Sequence, residues 1–151
     1  MARVALLDVN ILVALFDADH VHHDLAHDWL AEEGRRAWAT CAVTENGFIR
    51  VVSNPHYHPN STIRPAVAAD ALRQFCRSGG HQFWKNTVSL CDRKLFDLSV
   101  AGSYRQLTDI YLLGLARAMG GRLATFDRTI PHRAVVGATR DTLALIEPGR
   151  S

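Results

Sequence analysis

The sequence predicts an α/β fold: a three-layer α/β/α sandwich around a central, mainly parallel sheet. Three observations predict it. Short apolar runs of strand length alternate along the 151 residues with segments whose apolar residues recur at helical spacing. Strands that alternate with helices form parallel sheets covered on both faces. Two of the strand-like runs, Val4-Ala5-Leu6-Leu7 and Leu123-Ala124-Thr125-Phe126, are each closed by an acid, Asp8 and Asp127. Ligands bind such sheets beyond the carboxyl ends of the strands, at the topological switch point, so acids at two strand tips mark a site as well as an edge.

The elements follow in order. A first strand covers about residues 3–8, and a short helix begins after Asn10. A longer helix runs from about residue 20 to 33 and stops at Gly34, where the chain regains backbone freedom. A strand over 37–41 leads into a helix carrying Glu45, which ends before Asn54-Pro55. Residues 56–65, with Asn60, Ser61 and two prolines, read as the loop with most freedom. A helix over about 65–77 is broken by Ser78-Gly79-Gly80. Residues 82–88 suit a short strand, and 92–97 a helical turn. The helix carrying Asp109 runs to Met119 and exits through Gly120-Gly121. The strand closed by Asp127, a proline-containing connection and a last strand over 143–146 complete the chain, without repeats or interdomain linkers.

The length fits one domain over residues 1–151. A content of 48% hydrophobic and 21% charged residues is ordinary for a soluble globular protein, and no apolar run approaches the roughly 18 residues of a membrane span. Met1-Ala2-Arg3 runs straight into the first strand and does not read as a signal peptide. Cys41, Cys76 and Cys91 are odd in number and lack a CxxC pair, which reads as reduced thiols in a cytoplasmic protein. The formal charge of +2 is too small to demonstrate nucleic-acid binding. Fifteen of the 17 basic residues are Arg, which favours bidentate phosphate contacts, although a GC-rich coding genome explains the bias more simply.

Glu45 and Asp109 open helical patterns and fall on their apolar faces, Glu45 with Phe48, Ile49 and Val52, Asp109 with Leu112, Leu113 and Ala116. A carboxylate aimed into a fold is costly unless something positive compensates it. Four converging acids, Asp8, Glu45, Asp109 and Asp127, repel one another, and a bound divalent cation is the simplest remedy. All-oxygen ligation suits Mg²⁺ or Mn²⁺ and argues against zinc. With a cation in place, the remaining surface is more basic than the total charge suggests.

The segments Leu7-Asp8-Val9-Asn10-Ile11-Leu12, Thr44-Glu45-Asn46-Gly47-Phe48-Ile49-Arg50, Leu107-Thr108-Asp109-Ile110-Tyr111-Leu112 and Ala124-Thr125-Phe126-Asp127-Arg128 resemble, in order and spacing, the four motifs of PIN-domain ribonucleases. The similarity is greatest to VapC-type toxins of type II toxin–antitoxin systems and is less distinctive over about residues 55–100. It implies a PIN-like fold and metal-dependent endoribonuclease hydrolysis of RNA phosphodiester bonds. Asp8, Glu45, Asp109 and Asp127 would be the catalytic and metal-binding residues, with Asp8 and Asp109 the main ligands of Mg²⁺ (or Mn²⁺). Glu45 and Asp127 would complete the site or act through water, one of them as the base. The implied partners are single-stranded or loop regions of RNA, a VapB-like antitoxin and a second copy of the chain as a homodimer, in the cytoplasm and away from membranes.

Each of these acids except Glu45 also has a plainer reading. Asp8 could cap the following helix, Asp109 could be a first-turn acid behind a Thr108 cap, and Asp127 could sit in a turn paired with Arg128. Asn10 and Thr125 are placed to hold a carboxylate or a bound water by hydrogen bonds, and Asn10 serves equally as an N-cap. His20, His23 and His27 share a helix face but lack a further ligand, so they read as a solvated face; His56 and His58, in the loop, read as substrate or partner contacts. Arg50, Arg105, Arg117 and Arg128 lie near the motifs and read singly as surface charges. Trp29, Trp38 and Trp84 read as core or rim. Two other functional readings remain: a HAD-like phosphatase, which shares an acid after the first strand but needs a second Asp where this chain has Asn10, and a catalytically inactive PIN-like binding module.

Overall fold

The computed structural model describes residues 3–34, 37–58 and 62–148. Strands β1 (Ala5–Leu7), β2 (Trp38–Cys41), β3 (His81–Trp84), β4 (Arg122–Thr125) and β5 (Leu143–Leu145) form one sheet in the order β3-β2-β1-β4-β5. Every pairing is parallel, as expected. The chain builds outward from β1 to β3, then returns past β1 to lay down β4 and β5. The switch point therefore falls between β1 and β4, the two strands closed by Asp8 and Asp127.

The helices are α1 (Val9–Phe16), α2 (His23–Trp29), α3 (Ala42–Val52), α4 (Pro65–Cys76) and α5 (Leu107–Ala118). Their apolar faces make two cores, one on each side of the sheet. Leu7, Trp38 and Ala124 face Ile11, Leu15, Phe48 and Leu72 of α1, α3 and α4. Leu6, Ala39, Cys41 and Leu123 face Ile110, Leu113 and Ala116 of α5, with Phe96 and Val135 from connecting segments. Side chains alternate across a strand. Asp8 and Thr125 therefore continue on the α5 side, and Thr40 on the side of α3 and α4.

The structure differs from the sequence reading at definite places. The first helix starts at Val9, with Asp8 as its N-cap, so Asn10 lies inside the helix and caps nothing. The helix expected from residue 20 begins only at His23 and becomes π-helical over Leu30–Gly34. Asp17 accepts from the backbone of Asp19 (3.0 Å), which turns the chain, and Val21 in that turn is 85% exposed, so no apolar face forms there. β3 ends at Trp84, opposite Cys41, the last residue of its partner strand β2. Residues 85–88 consequently form no ladder. The helical turn expected at 92–97 is present as a single turn, Phe96 N donating to Asp92 O at 3.0 Å; a short 3₁₀ segment, Leu98–Val100, follows it, and Phe96 bridges to Val135. Thr108 lies within α5, whose N-cap is Gln106. Part of the loop at 56–65 lies outside the described residues. Other boundaries agree, including the α5 exit through Gly120 at φ +71°.

Helix α5 presses on Phe96, and this fixes the residue at 114. A Cβ on Gly114 would lie 2.2 Å from Phe96 Cζ, and that ring is 3% exposed. Glycine in a helix interior normally costs about 1 kcal/mol relative to alanine, whereas overpacking costs about 1–3 kcal/mol. Gly114→Ala should therefore lower stability by up to about 2 kcal/mol in urea denaturation. Its combination with Phe96→Leu should lose less than the sum of the two single changes.

Candidate active site

The site is assembled at the tips of β1 and β4. Asp8 is 5% exposed and holds both oxygens in hydrogen bonds: Oδ1 accepts from Val9 N at 2.7 Å and Oδ2 from Thr125 Oγ1 at 2.7 Å. Thr125, fully buried, joins the parts. Its hydroxyl donates to Asp8 and accepts from Asp127 N at 3.1 Å and Asn10 Nδ2 at 3.4 Å. Asp127 Oδ1 accepts from the backbone and hydroxyl of Thr129, at 2.8 and 2.7 Å. It is therefore in a turn, but Arg128 pairs with Glu147 at 3.1 Å rather than with Asp127.

Asp109 approaches from the first turn of α5, half-buried. Burial, the charges of Asp8 and Asp127 and a hydrogen-bonding contact with Asp127 raise its carboxyl to about 7. Burial also raises Asp8, opposed by the hydrogen bonds of Thr125 and Val9 and reinforced by the charge of Asp127. Asp8, Asp109 and Asp127 thus act on one another electrostatically. Asn10 Oδ1 is buried with no protein partner. Three mutually repelling carboxylates beside an unpartnered amide oxygen are a donor set that fits a hard divalent cation.

Glu45 is not with them. Its Oε2 accepts from Thr40 Oγ1 at 2.7 Å, and the same hydroxyl lies 2.7 Å from His81 Nε2. Glu45 therefore sits on the α3 and α4 side of the sheet, near Cys76 and His81. Burial, then the charge of Glu45, raises the Cys76 thiol to about 11. Burial lowers His81, against the pull of Glu45. The apolar stripe that revealed Glu45 is real, since Phe48 and Val52 are buried, but a helical stripe does not say on which side of a strand tip an acid will rest.

An open pocket of about 390 Å³ beside Asp8, Asn10 and Asp109 is completed by Val9, Val13, Val51, His20 and Tyr57. Tyr57 and His20 had no sequence signal linking them to this site. Tyr57 donates to Asp17 Oδ2 at 2.7 Å, and His58 contacts the same oxygen at 3.1 Å. His58 is thus tied to α1's end rather than free for a partner; His56 is exposed. His23 and His27 meet the carbonyls of Ala14 and Leu15 at 2.7 and 2.8 Å, so they secure the last turn of α1, with His27 exposed as expected and His23 partly buried. Trp38 and Trp84 are core residues. Arg50, Arg105, Arg117 and Arg128 are all exposed.

The PIN domain family matches residues 5–136. The chain is a PIN-domain protein. Ribonuclease VapC44 of Mycobacterium tuberculosis is 49% identical over 94% of this chain and 99% of its own length. Ribonuclease VapC39 of the same organism is 39% identical over 88% and 95%. This PIN domain also shares its fold with a crystal structure of M. tuberculosis VapC20, described as a Sarcin-Ricin loop cleaving toxin, at a TM-score of 0.58 and 18% identity over 83% of this chain and 92% of that one. Membership of this family leaves the phosphatase reading without support. Among the described residues no helix is long and apolar enough to cross a membrane.

Two outcomes follow from the site. Thr125→Val leaves a buried Asp8 oxygen and the Asp127 N–H without their partner, at a cost of about 1–3 kcal/mol; Thr125→Ser should recover most of it in chemical denaturation. For Asp109, the folded value of about 7 exceeds the unfolded value of about 3.9. The folded protein therefore holds this proton more tightly, and the resulting stability is complete below about pH 4 and lost as pH rises through about 7. In the metal-free protein the melting temperature of wild type should fall relative to Asp109→Asn between about pH 5 and pH 8, leaving the variant the more stable at the upper end.

Proposed function

We propose that this PIN domain is a metal-dependent endoribonuclease and the toxin of a VapC-type toxin–antitoxin pair. The carrying observation is the gathering of Asp8, Asp109 and Asp127 at the β1/β4 switch point, beside the unpartnered Asn10 Oδ1, in a chain whose relatives bear the name ribonuclease.

Asp8 and Asp109 would hold Mg²⁺ or Mn²⁺, with Asp127 and the Asn10 amide completing the donor set. A bound divalent ion supplies a water nucleophile at neutral pH and neutralises charge developing at phosphorus. The rest is the work of the chain. Thr125 and Val9 N fix both Asp8 oxygens, so this ligand is oriented before anything binds. Asp109 must lose a proton as a cation binds, so affinity rises with pH through the neutral range. Val9, Val13 and Val51 give the pocket an apolar wall, which strengthens electrostatic interactions inside it. Single-stranded or looped RNA suits an open pocket, because its bases and backbone are accessible where A-form grooves are not. An acidic cluster without its metal attracts a cationic side chain, and this supports a VapB-like antitoxin that places an Arg there. A homodimer belongs to the same reading.

Purified protein should cleave RNA in Mg²⁺, stop in EDTA, and leave 5′-phosphate and 3′-hydroxyl ends, since attack by water needs no 2′-hydroxyl. Asp8→Asn and Asp109→Asn should each reduce cleavage by about a hundredfold or more, with the fold retained by circular dichroism. Cyclic phosphate ends, or cleavage that persists in EDTA, would overturn the mechanism. Expression alone should arrest growth and co-expression of the antitoxin should restore it; a harmless wild type would remove the toxin assignment and leave the nuclease to stand on the cleavage assay.

A further inference from the structure

Glu45, Cys76 and His81 come from three different elements, α3, α4 and β3, and each presents a ligand atom within 4.8 Å of the other two. Their chemistry differs from that of the Asp8 cluster: one carboxylate oxygen, one thiol sulfur and one imidazole nitrogen. Ligands about 2.0–2.3 Å from a tetrahedral ion lie roughly 3.3–3.8 Å apart, so small side-chain rotations close the set. Thr40, fully buried, already orients two of the three, donating to Glu45 and contacting His81, as outer partners do in metal sites. A pocket of about 270 Å³, walled by Ile49, Ala69 and Leu72, opens onto all three residues. Arg73 at its rim is engaged by Asp70.

We propose that Glu45, Cys76 and His81 form a second metal site, selective for Zn²⁺-class ions, with water in the fourth position. Sulfur and imidazole ligands favour zinc over magnesium, while all-oxygen ligands favour the reverse. The two sites thus sort metals by softness on opposite sides of one sheet. A bound zinc would lock Glu45 where Thr40 already holds it. The resemblance to the PIN motifs implies that Glu45 serves the carboxylate site, which it can do only by leaving Thr40, and a zinc ion would keep it away from Asp8, Asp109 and Asp127. Zinc is therefore an inhibitor of the Mg²⁺-dependent reaction, a consequence that rests on the proposed nuclease function, whereas the binding site does not.

The test begins with Co²⁺ added to metal-free, reduced full-length protein. Expected are visible bands of tetrahedral intensity with a near-ultraviolet thiolate-to-cobalt band, displaced by one equivalent of Zn²⁺. Cys76→Ser should lose the thiolate band, His81→Ala should weaken binding about tenfold or more, and Cys91→Ser should change neither. No thiolate band, or one that survives in Cys76→Ser, overturns the site. In RNA cleavage at saturating Mg²⁺, one equivalent of Zn²⁺ should slow wild type about tenfold or more and leave Cys76→Ser and His81→Ala unaffected. Equal slowing of all three proteins overturns the inhibitory role. If wild type cleaves no RNA even without zinc, it is the nuclease reading that fails, and the cobalt spectra still decide the site.

Discussion

The hydrogen bond from the Thr125 hydroxyl to Asp8 is the contact on which the rest of the site depends. It joins the tips of the two strands that flank the switch point, and it does so under the constraint that a nearly buried carboxylate must be satisfied. Asp8 cannot be neutral filler, because it also starts α1 by accepting from Val9 N. Thr125 cannot be replaced by an apolar residue of equal shape, because its single hydroxyl serves Asp8, Asp127 and Asn10 at once. One oxygen therefore couples strand pairing, helix initiation and the placing of two acids. Asp109 arrives on a separate element, and its carboxyl is raised first by burial and then by the charges of that prearranged pair.

Much of this was legible in the sequence, for identifiable reasons. Apolar runs in a parallel sheet are buried on both sides, so an acid ending one stands out, and Asp8 and Asp127 lie where that argument put them. The Asp109 stripe also held, with Leu112, Leu113 and Ala116 fully buried beneath it. Thr125 holds the Asp8 carboxylate by a hydrogen bond, whereas Asn10 bonds to Thr125 and to no carboxylate. What the sequence did not carry was direction at short range. Glu45 belongs to a true apolar stripe, yet its carboxylate turns to Thr40 because a fixed hydroxyl lies within 2.7 Å. Helix starts moved by a turn where side chains competed for backbone: Asp17 captured the Asp19 amide and delayed α2. The end of β3 was set by the length of its neighbour, which a single strand's residues do not encode.

The histidines illustrate the same limit. Spacing placed His20, His23 and His27 on one face, but the face is only partly helical. His23 and His27 turn back to α1's terminal carbonyls, which would otherwise lack intrahelical donors. His20 leaves the helix altogether and reaches the pocket beside Asp8. Three residues of one type on one pattern thus do two unrelated jobs, one architectural and one at the site.

Asp17 bears on how such a protein can diversify. By accepting from Tyr57 and His58, it clamps the descending side of the loop after α3 to the end of α1, next to the pocket. Mutations, insertions or exchanges further along that loop are thereby insulated from Tyr57 and from the carboxylates behind it. A relative that differs only between residue 58 and the start of α4 would keep the same three carboxylates and the same pocket wall.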